Sequence, residues 1–297
     1  MTDQQEPKIC DYEGSDYRTD FWEGKGRDYE DRVERIALRR LLPKRGRRVL
    51  ELGAGFGRLS DEFLAFDQVV LLDYSFSQLQ YAQEHYGATD RFVYAAANAY
   101  ALPFRAGVFD AATMIRMIHH IAHVDDVLQQ MQRVLTPNAA FILEYANKRN
   151  LKAIVRHALG KQTWSPYDEA PVEFVELNFD FHPAHIGKAL KNNGFSLQRR
   201  LPVSFFRLNL LKDNLPTGLL VGLDSLLQHS GLLYAPSVFT RSIAATSTEN
   251  NLNAADIFAC PVCEGSFARV ENTLTCTNCG NRYAVRDGIY DFKAPLE

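Results

Sequence analysis

The chain has 297 residues, enough for one large domain and a small one. A hydrophobic content of 46% with 23% charged residues is that of an ordinary globular protein, and a net charge of −3 excludes a general attraction to nucleic acid or to anionic membranes. The first twenty residues are polar and acidic, unlike a signal peptide, and no apolar run is long enough to span a bilayer, so the expected location is the cytoplasm.

Residues 1 to 20 show no period and are expected to be loosely ordered. Phe21 to Tyr29 carries aromatics and Arg27 ahead of a helix from about Tyr29 to Leu42, whose apolar stripe includes Val33, Ala37 and Leu41. The basic residues from Arg39 to Arg48 read as a solvated turn, because no aromatic is interleaved for base stacking. Val49 to Leu52 reads as a buried parallel strand. It runs into Gly53, Gly55 and Gly57, where the backbone can turn sharply and press against a ligand. Phe56 to Phe66 then has apolar residues at helical spacing.

This loop differs from the dinucleotide fingerprint. The third glycine comes one residue early, and Arg58 stands where that fingerprint has glycine. Glu51, at the strand end, suits a ligand bearing a cationic amino group. The next apolar run, Val69 to Leu72, ends in Asp73, placed to accept from ribose hydroxyls. Glu51, Gly53, Gly55, Gly57 and Asp73 together resemble the class I S-adenosylmethionine (SAM) methyltransferases. The resemblance implies a Rossmann-like seven-stranded α/β sheet with helices on both faces, over residues 47–245. Residues 1–46 are then an N-terminal lid and helix, with Arg27 or Tyr29 meeting the methionine carboxylate. Ala54, Tyr74, Asn98, Ala99 and Arg116 join the cofactor-binding set. Many relatives carry Asp where Asn98 stands, but its carbonyl oxygen can still accept from the adenine amine.

Further along, Ser75 is expected to cap a helix, Arg91 to Ala96 to form the third strand and Phe109 to Met117 the fourth. Ligands in open α/β sheets lie beyond the carboxyl ends of strands, which brings Arg116 through His120 to the transferable methyl. His119 or His120 is the expected general base for a hydroxyl or protonated nitrogen acceptor, against a structural role at the strand-to-helix junction. Asp125 to Leu135 is an amphipathic helix. Arg133 to Ala140 matches the family's R-V-L-x-P-G-G turn, with Asn138 able to adopt the left-handed geometry, and Phe141 to Tyr145 is the fifth strand. A helix near Leu151–Leu159 precedes a loop, Trp164 to Glu169, expected to cap the substrate pocket. His182 opens a helix ending at Gly194. Phe195 to Phe206 and Tyr234 to Arg241 are the last two strands. The apolar stretch Leu215 to Leu233 between them reads as a helix packed on the sheet or on a second copy of the chain, in preference to a membrane-surface helix. Residues 246–256 form a linker.

Cys260-x-x-Cys263 and Cys276-x-x-Cys279 are two knuckles at the spacing of a tetrahedral four-cysteine site, with zinc as the default metal and iron as runner-up. Residues 257–297 are too few to fold on apolar burial alone and need such a staple. This small β-rich module resembles the zinc-ribbon activator subunit of tRNA, ribosomal RNA and release-factor methyltransferases. Its charge balance gives no nucleic-acid signature. The methyl acceptor is left open between a small molecule or lipid and an RNA or protein. Two other functions compete: a SAM-binding scaffold without turnover, and an NAD-dependent oxidoreductase.

Overall fold

The computed structural model describes residues 8–15, 19, 22, 26–245 and 249–297. Much of the expected lid (residues 1–7, 16–18, 20, 21 and 23–25) and part of the expected linker (246–248) lie outside the described residues.

Alternation of buried side chains organises the sheet. In β1 (Gly46–Leu52) and β2 (Phe66–Asp73), Leu50, Leu52, Val70 and Leu72 enter one apolar core, while Val49, Val69 and Leu71 enter the other. The strands pair in parallel, Val49 opposite Val69 and Leu52 opposite Leu72, so their carboxyl ends finish level. β3 (Phe92–Ala96), β4 (Phe109–Met114) and β5 (Leu135–Ala146) extend the parallel part. β6 (Val172–Val175) and β7 (Asn178–Asp180) form a separate hairpin. β8 (Phe195–Val203) and β9 (Ser237–Ala244) complete a seven-stranded order, β3-β2-β1-β4-β5-β9-β8, with β9 antiparallel to both neighbours.

Helices cover both faces. α1 (Asp28–Leu41) and α2 (Phe76–Tyr86) bury Val33, Ala37, Leu79 and Ala82 on one side. On the other, α3 (Val124–Val134) contributes Leu128 and Met131. α4 (Leu151–Ala158) buries little beyond Ala153. α5 (Pro183–Asn192) is capped by His182, whose Nδ1 accepts from Ala184 N–H at 3.2 Å, and Gly194 (φ 76°) ends the segment. α7 (Thr217–Leu227) is the helix expected within Leu215 to Leu233, shorter than that stretch, and a short α6 (Asn209–Asn214) precedes it.

Several boundaries moved. Phe56 to Phe66 is not a full helix. Turns lead to a 3-10 segment, Ser60–Phe63, and Leu64 is exposed. β5 begins at Leu135, through the expected turn, with Asn138 at φ 66°. β9 starts three residues later than expected, after Pro236, which has no N–H to give a ladder. The β6–β7 hairpin was not anticipated. Arg48 is not solvated: it is buried, and its guanidinium donates to the carbonyls of Val108 at 3.0 Å and of Leu252 and Ala254 at 3.3 Å. The described part of the linker is thereby bound to the sheet domain.

The C-terminal module shares the same sheet. β10 (Phe267–Val270), β11 (Thr273–Cys276), β12 (Arg282–Arg286) and β13 (Ile289–Asp291) form an antiparallel meander. β13 pairs in parallel with β3, Tyr290 opposite Ala95, so the sheet has eleven strands. Phe258 stacks between Phe104, at 5.7 Å, and Tyr290, at 4.3 Å between centroids. Ile289 is fully buried in the core that α1 and α2 cover. Ile289→Ala should therefore lower global stability by roughly 2–5 kcal/mol in one cooperative transition. A calorimetric scan with two separate transitions, the larger unshifted, would refute that coupling.

Candidate functional site

The crevice lies beyond the carboxyl ends of β1, β2 and β4. Gly53, Gly55 and Arg116 border both of its halves. One half is lined by Asp73, Tyr74, Asn98, Ala99, Met117 and His120, and is covered by Lys8 to Tyr12. The other is lined by Glu51, Ala54, Arg58 and Trp22.

The glycine loop is fastened to β2. Gly53 and Ala54 N–H donate to the Leu72 carbonyl at 2.8 and 3.1 Å, and Gly55 N–H donates to Asp73 Oδ2 at 2.7 Å. Gly55 has φ 53°, and a Cβ added there meets nothing within 4 Å, so its backbone faces open space. Gly57 does a different job from the one expected. It does not line the crevice, and a Cβ there would come within 2.9 Å of the Tyr86 ring, so it permits close approach of α2.

Asp73 Oδ1 also accepts from Ser75 N–H at 2.9 Å. Burial nevertheless raises its pKa. A carboxylate has about four lone-pair sites, which leaves capacity for a ligand hydroxyl. Glu51 Oε2 accepts from Ser60 Oγ at 2.6 Å. Burial pushes Glu51 up to about 7, against the opposing pull of Ser60 and Arg58. Asn98 lines the crevice, but its Oδ1 accepts from Tyr100 N–H at 3.0 Å and so orders its own turn.

Arg116 is in the left-handed region, φ 55°, held there by its N–H bond to Glu144 Oε2 at 2.9 Å. Its guanidinium turns to Glu34, with Nε at 3.0 and 3.2 Å from the two carboxylate oxygens and a further bond from Nη2. Arg58 Nη2 reaches the same carboxylate at 2.7 Å while Nη1 bonds Asp31. Arg207 lies 3.7 Å from it. Burial alone would push Glu34 up, but Arg116, Arg58 and Arg207 bring it down to about 2. Sequence reasoning missed Glu34. The signal was present: it falls on the apolar stripe of α1, where an acid requires a buried partner. Arg58 and Arg116 also lie over the Trp22 ring, at 3.7 and 4.9 Å from its centroid.

Neither proposed carboxylate-binding residue of the lid lines the crevice. Arg27 stands just before α1 without a side-chain capping bond, its guanidinium 5.5 Å from the Trp22 centroid. Tyr29 is buried, its hydroxyl donating to Asp224 Oδ2 at 2.7 Å. The described N-terminal residues are instead docked: Glu13 accepts from Phe76 and Ser77 N–H at 2.7 and 3.0 Å, closing the start of α2.

The two histidines separate. His120 lines the crevice; His119 does not. His120 Nδ1 is 2.8 Å from the Leu177 carbonyl, which can only accept, so the ring hydrogen is on Nδ1. Nε2 then accepts from the Tyr12 hydroxyl at 3.2 Å. Burial lowers the pKa of His120, keeping it neutral. His119 is lowered further, by burial and then by His120, Arg116 and Arg207, and its Nδ1 has no hydrogen-bond partner among the described residues. The expected capping loop at Trp164 to Glu169 is tied down by Lys148 Nζ, which bonds the Asp168 and Ala170 carbonyls at 2.9 and 2.6 Å. The β6–β7 hairpin, through Leu177, is what reaches His120.

The four paired cysteines meet. Their sulfurs lie within 4.8 Å of one another, with Cys260–Cys279 at 3.7 Å and Cys263–Cys276 at 3.4 Å. Metal–sulfur bonds of about 2.3 Å in a tetrahedron require sulfur separations of this size. All four ligand positions come from protein, which leaves no open position for catalysis.

Two opposite pH effects on stability follow for the unliganded protein. Glu34 is depressed from 4.5 to about 2, so its contribution is full above the unfolded value and lost as pH falls through about 2. Glu51 is raised from 4.5 to about 7, so its contribution is full below pH 4.5 and lost as pH rises through about 7. Glu34→Gln should cost roughly 3–5 kcal/mol, because it strands buried guanidinium charge. Glu51→Gln should raise stability near pH 8 and do little near pH 4. Urea melts across pH check both; equal effects of Glu51→Gln at the two ends would contradict the assignment.

Residues 50–143 match the family described as "Methyltransferase domain", and residues 255–288 match "Trm112p-like protein". Among curated proteins, the chain is 31% identical over 130 residues to the ubiquinone/menaquinone biosynthesis C-methyltransferase UbiE of Hahella chejuensis, covering 40% of this chain and 52% of that protein. It is 35% identical over 111 residues to the same-named protein of Serratia proteamaculans, covering 35% and 44%. The chain thus spans about half the length of the curated relatives it matches. Among solved structures, the complex between the Haloferax volcanii Trm112 methyltransferase activator and a methyltransferase aligns at TM-score 0.53 and 16% identity, over 77% of this chain and 96% of that one. An S-adenosylmethionine-dependent methyltransferase fold from Listeria monocytogenes aligns at 0.52 and 15%, over 75% and 100%. One polypeptide thus joins a span similar to the methyltransferase-domain family and a span similar to the Trm112p-like family.

Proposed function

We propose that the chain binds S-adenosylmethionine in the crevice beyond β1 and β2 and transfers its methyl group to an acceptor, and that zinc fills the four-thiol cluster as a structural ion. The observation that carries this is the pair of carboxylates, buried Glu51 and half-buried Asp73, at the ends of adjacent strands on either side of the open Gly55 backbone. When bound, S-adenosylmethionine supplies an electrophilic methyl group and a sulfonium leaving group. Asp73 would accept from ribose hydroxyls, and Glu51 would meet the ammonium. Tyr74, Asn98 and Ala99 would border the adenine, with Arg58 and Arg116 beside the carboxylate.

On the acceptor side, Met117, His120 and the β6–β7 hairpin exclude water. The curated relatives are named as C-methyltransferases of quinone biosynthesis, which supports an acceptor carbon that loses a proton. His120 is a neutral imidazole with its free-base Nε2 toward the crevice, and it would take that proton once Tyr12 gives way. Fixing thiols as metal ligands suits a reducing cytoplasm. The Trm112p-like module, through β13, would brace the β3 edge of the catalytic sheet.

Calorimetry with S-adenosylmethionine tests the reading. Wild type should bind, and Asp73→Ala should lose roughly tenfold or more, since a buried carboxylate–hydroxyl bond is removed. Affinity should fall about tenfold per pH unit below about pH 7, where Glu51 takes up its proton, and Glu51→Gln should flatten that profile. No heat at any pH would sink the proposal. Labelled-methyl transfer into lipid, RNA and protein fractions of an extract then identifies the acceptor. Metal analysis should return zinc at about one ion per chain, and a strong chelator should lower the melting temperature of the whole molecule.

A further inference from the structure

The net charge of the whole chain conceals one strongly basic segment. Residues 147–163 hold Lys148, Arg149, Lys152, Arg156 and Lys161 and no acid. Within α4 of this segment, Lys152 and Arg156 are exposed, as is Lys161 just beyond it. Exposed with them are Leu151, Val155 and Leu159, four residues apart and therefore on one side of the helix. A basic helix with a bare apolar stripe has the composition of a segment that lies in a lipid interface.

The apolar surface continues beyond α4. α7 buries Leu220, Val221 and Asp224 toward α1 but leaves Leu219 and Leu223 half exposed, with Leu226 at 71%. Leu210 of α6 is 76% exposed, and Leu208 and Leu232 about half. The two regions are tied together: Leu151 N–H donates to the Tyr234 carbonyl at 2.8 Å, and Arg149 lies 5.4 Å from the Tyr234 ring centroid. The β6–β7 hairpin also exposes Phe174 and Val175, but between the exposed acids Glu173 and Glu176, so it stands apart from a face that meets anionic lipid.

Topology places this surface on the side where an acceptor enters. β8 runs antiparallel to β9, which is itself antiparallel to β5, so β8 ends where β5 ends. The chain from residue 204 to 236 thus leaves and returns at the same sheet edge as the crevice. α4 and the hairpin follow β5 at that edge as well. Leucines that a folded chain would otherwise bury, together with the exposed cations Lys152, Arg156 and Lys161 on α4 and just beyond it, complement an anionic lipid surface. A second copy would bring the exposed Lys152, Arg156 and Lys161 against an identical set. No helix among the described residues is long and apolar enough to cross a membrane, so the contact is peripheral.

We infer that α4 and α6–α7 form a docking face for an anionic membrane surface, and that the site opens toward that surface. The location of the mouth rests on the proposed methyl-transfer site; the docking face does not.

The test is cosedimentation of the full chain with phosphatidylcholine vesicles that contain or lack phosphatidylglycerol, in the absence of S-adenosylmethionine. Wild type should pellet with the anionic vesicles only and release in high salt. Lys152→Glu with Arg156→Glu should weaken binding roughly tenfold or more. Leu219→Asp with Leu223→Asp should weaken it without lowering the melting temperature, since both leucines project outward. Calorimetric cofactor affinity without lipid should be unchanged in both variants, which separates failure of this face from failure of the site. Equal pelleting with and without vesicles would overturn the proposal. So would a two-copy particle, seen by light scattering, that the leucine variant splits into single chains.

Discussion

A single carboxylate without solvent contact fixes the crevice end of the molecule. Glu34 projects from α1 and receives Arg58 from the loop after β1 and Arg116 from the end of β4, with Arg207 from the segment after β8 close behind. Desolvating one acid and three guanidinium groups is costly; Arg58 and Arg116 meet the acid in hydrogen bonds, while Arg207 stands 3.7 Å from it, its Nε and Nη2 without a hydrogen-bond partner among the described residues. The result is directional. Arg116 is drawn toward α1, its backbone is held in a left-handed conformation by Glu144, and Met117 and His120 are thereby presented to the crevice.

Much of this was legible in residue order, and the failures have physical causes. Strands buried on both faces leave unbroken apolar runs, so Val49 to Leu52 and Val69 to Leu72 could be read directly, and with them Asp73 at the second tip. Gly57 looked like part of the ligand loop because spacing alone cannot distinguish a glycine facing a ligand from one facing a helix; only the nearby Tyr86 ring decides. Phe56 to Phe66 had the right period for a helix but too little length between two parallel strands, and collapsed to one 3-10 turn. The β6–β7 hairpin carries acids on exposed strand positions and has no turn glycine, so nothing in Val172 to Asp180 announced it. Ion pairs between distant residues, such as Glu34 with Arg116, leave no trace in local periodicity beyond an acid out of place on an apolar stripe.

The cysteine knuckles were the most readable feature, since their chemistry is local. Their consequence for the rest of the molecule was not. The ribbon is not a bead on a tether: β13 lengthens the main sheet, Arg48 binds the connecting segment, and the ribbon's tail approaches the crevice. Lys293 Nζ is 3.3 Å from Glu13, the acid that closes the start of α2, and 5.5 Å from the Tyr74 ring centroid. A disturbance at the thiol cluster therefore has a short mechanical route to the residues that cover the crevice.

The parallel seam between β13 and β3 also sets the assembly arithmetic. An exposed strand edge invites any passing chain to add to it. Here the edge is taken by a strand that is covalently part of the same molecule, so its occupancy follows from tether length, not from how many copies are synthesised. The two modules are made in equal number by a single translation event, and dilution cannot part them.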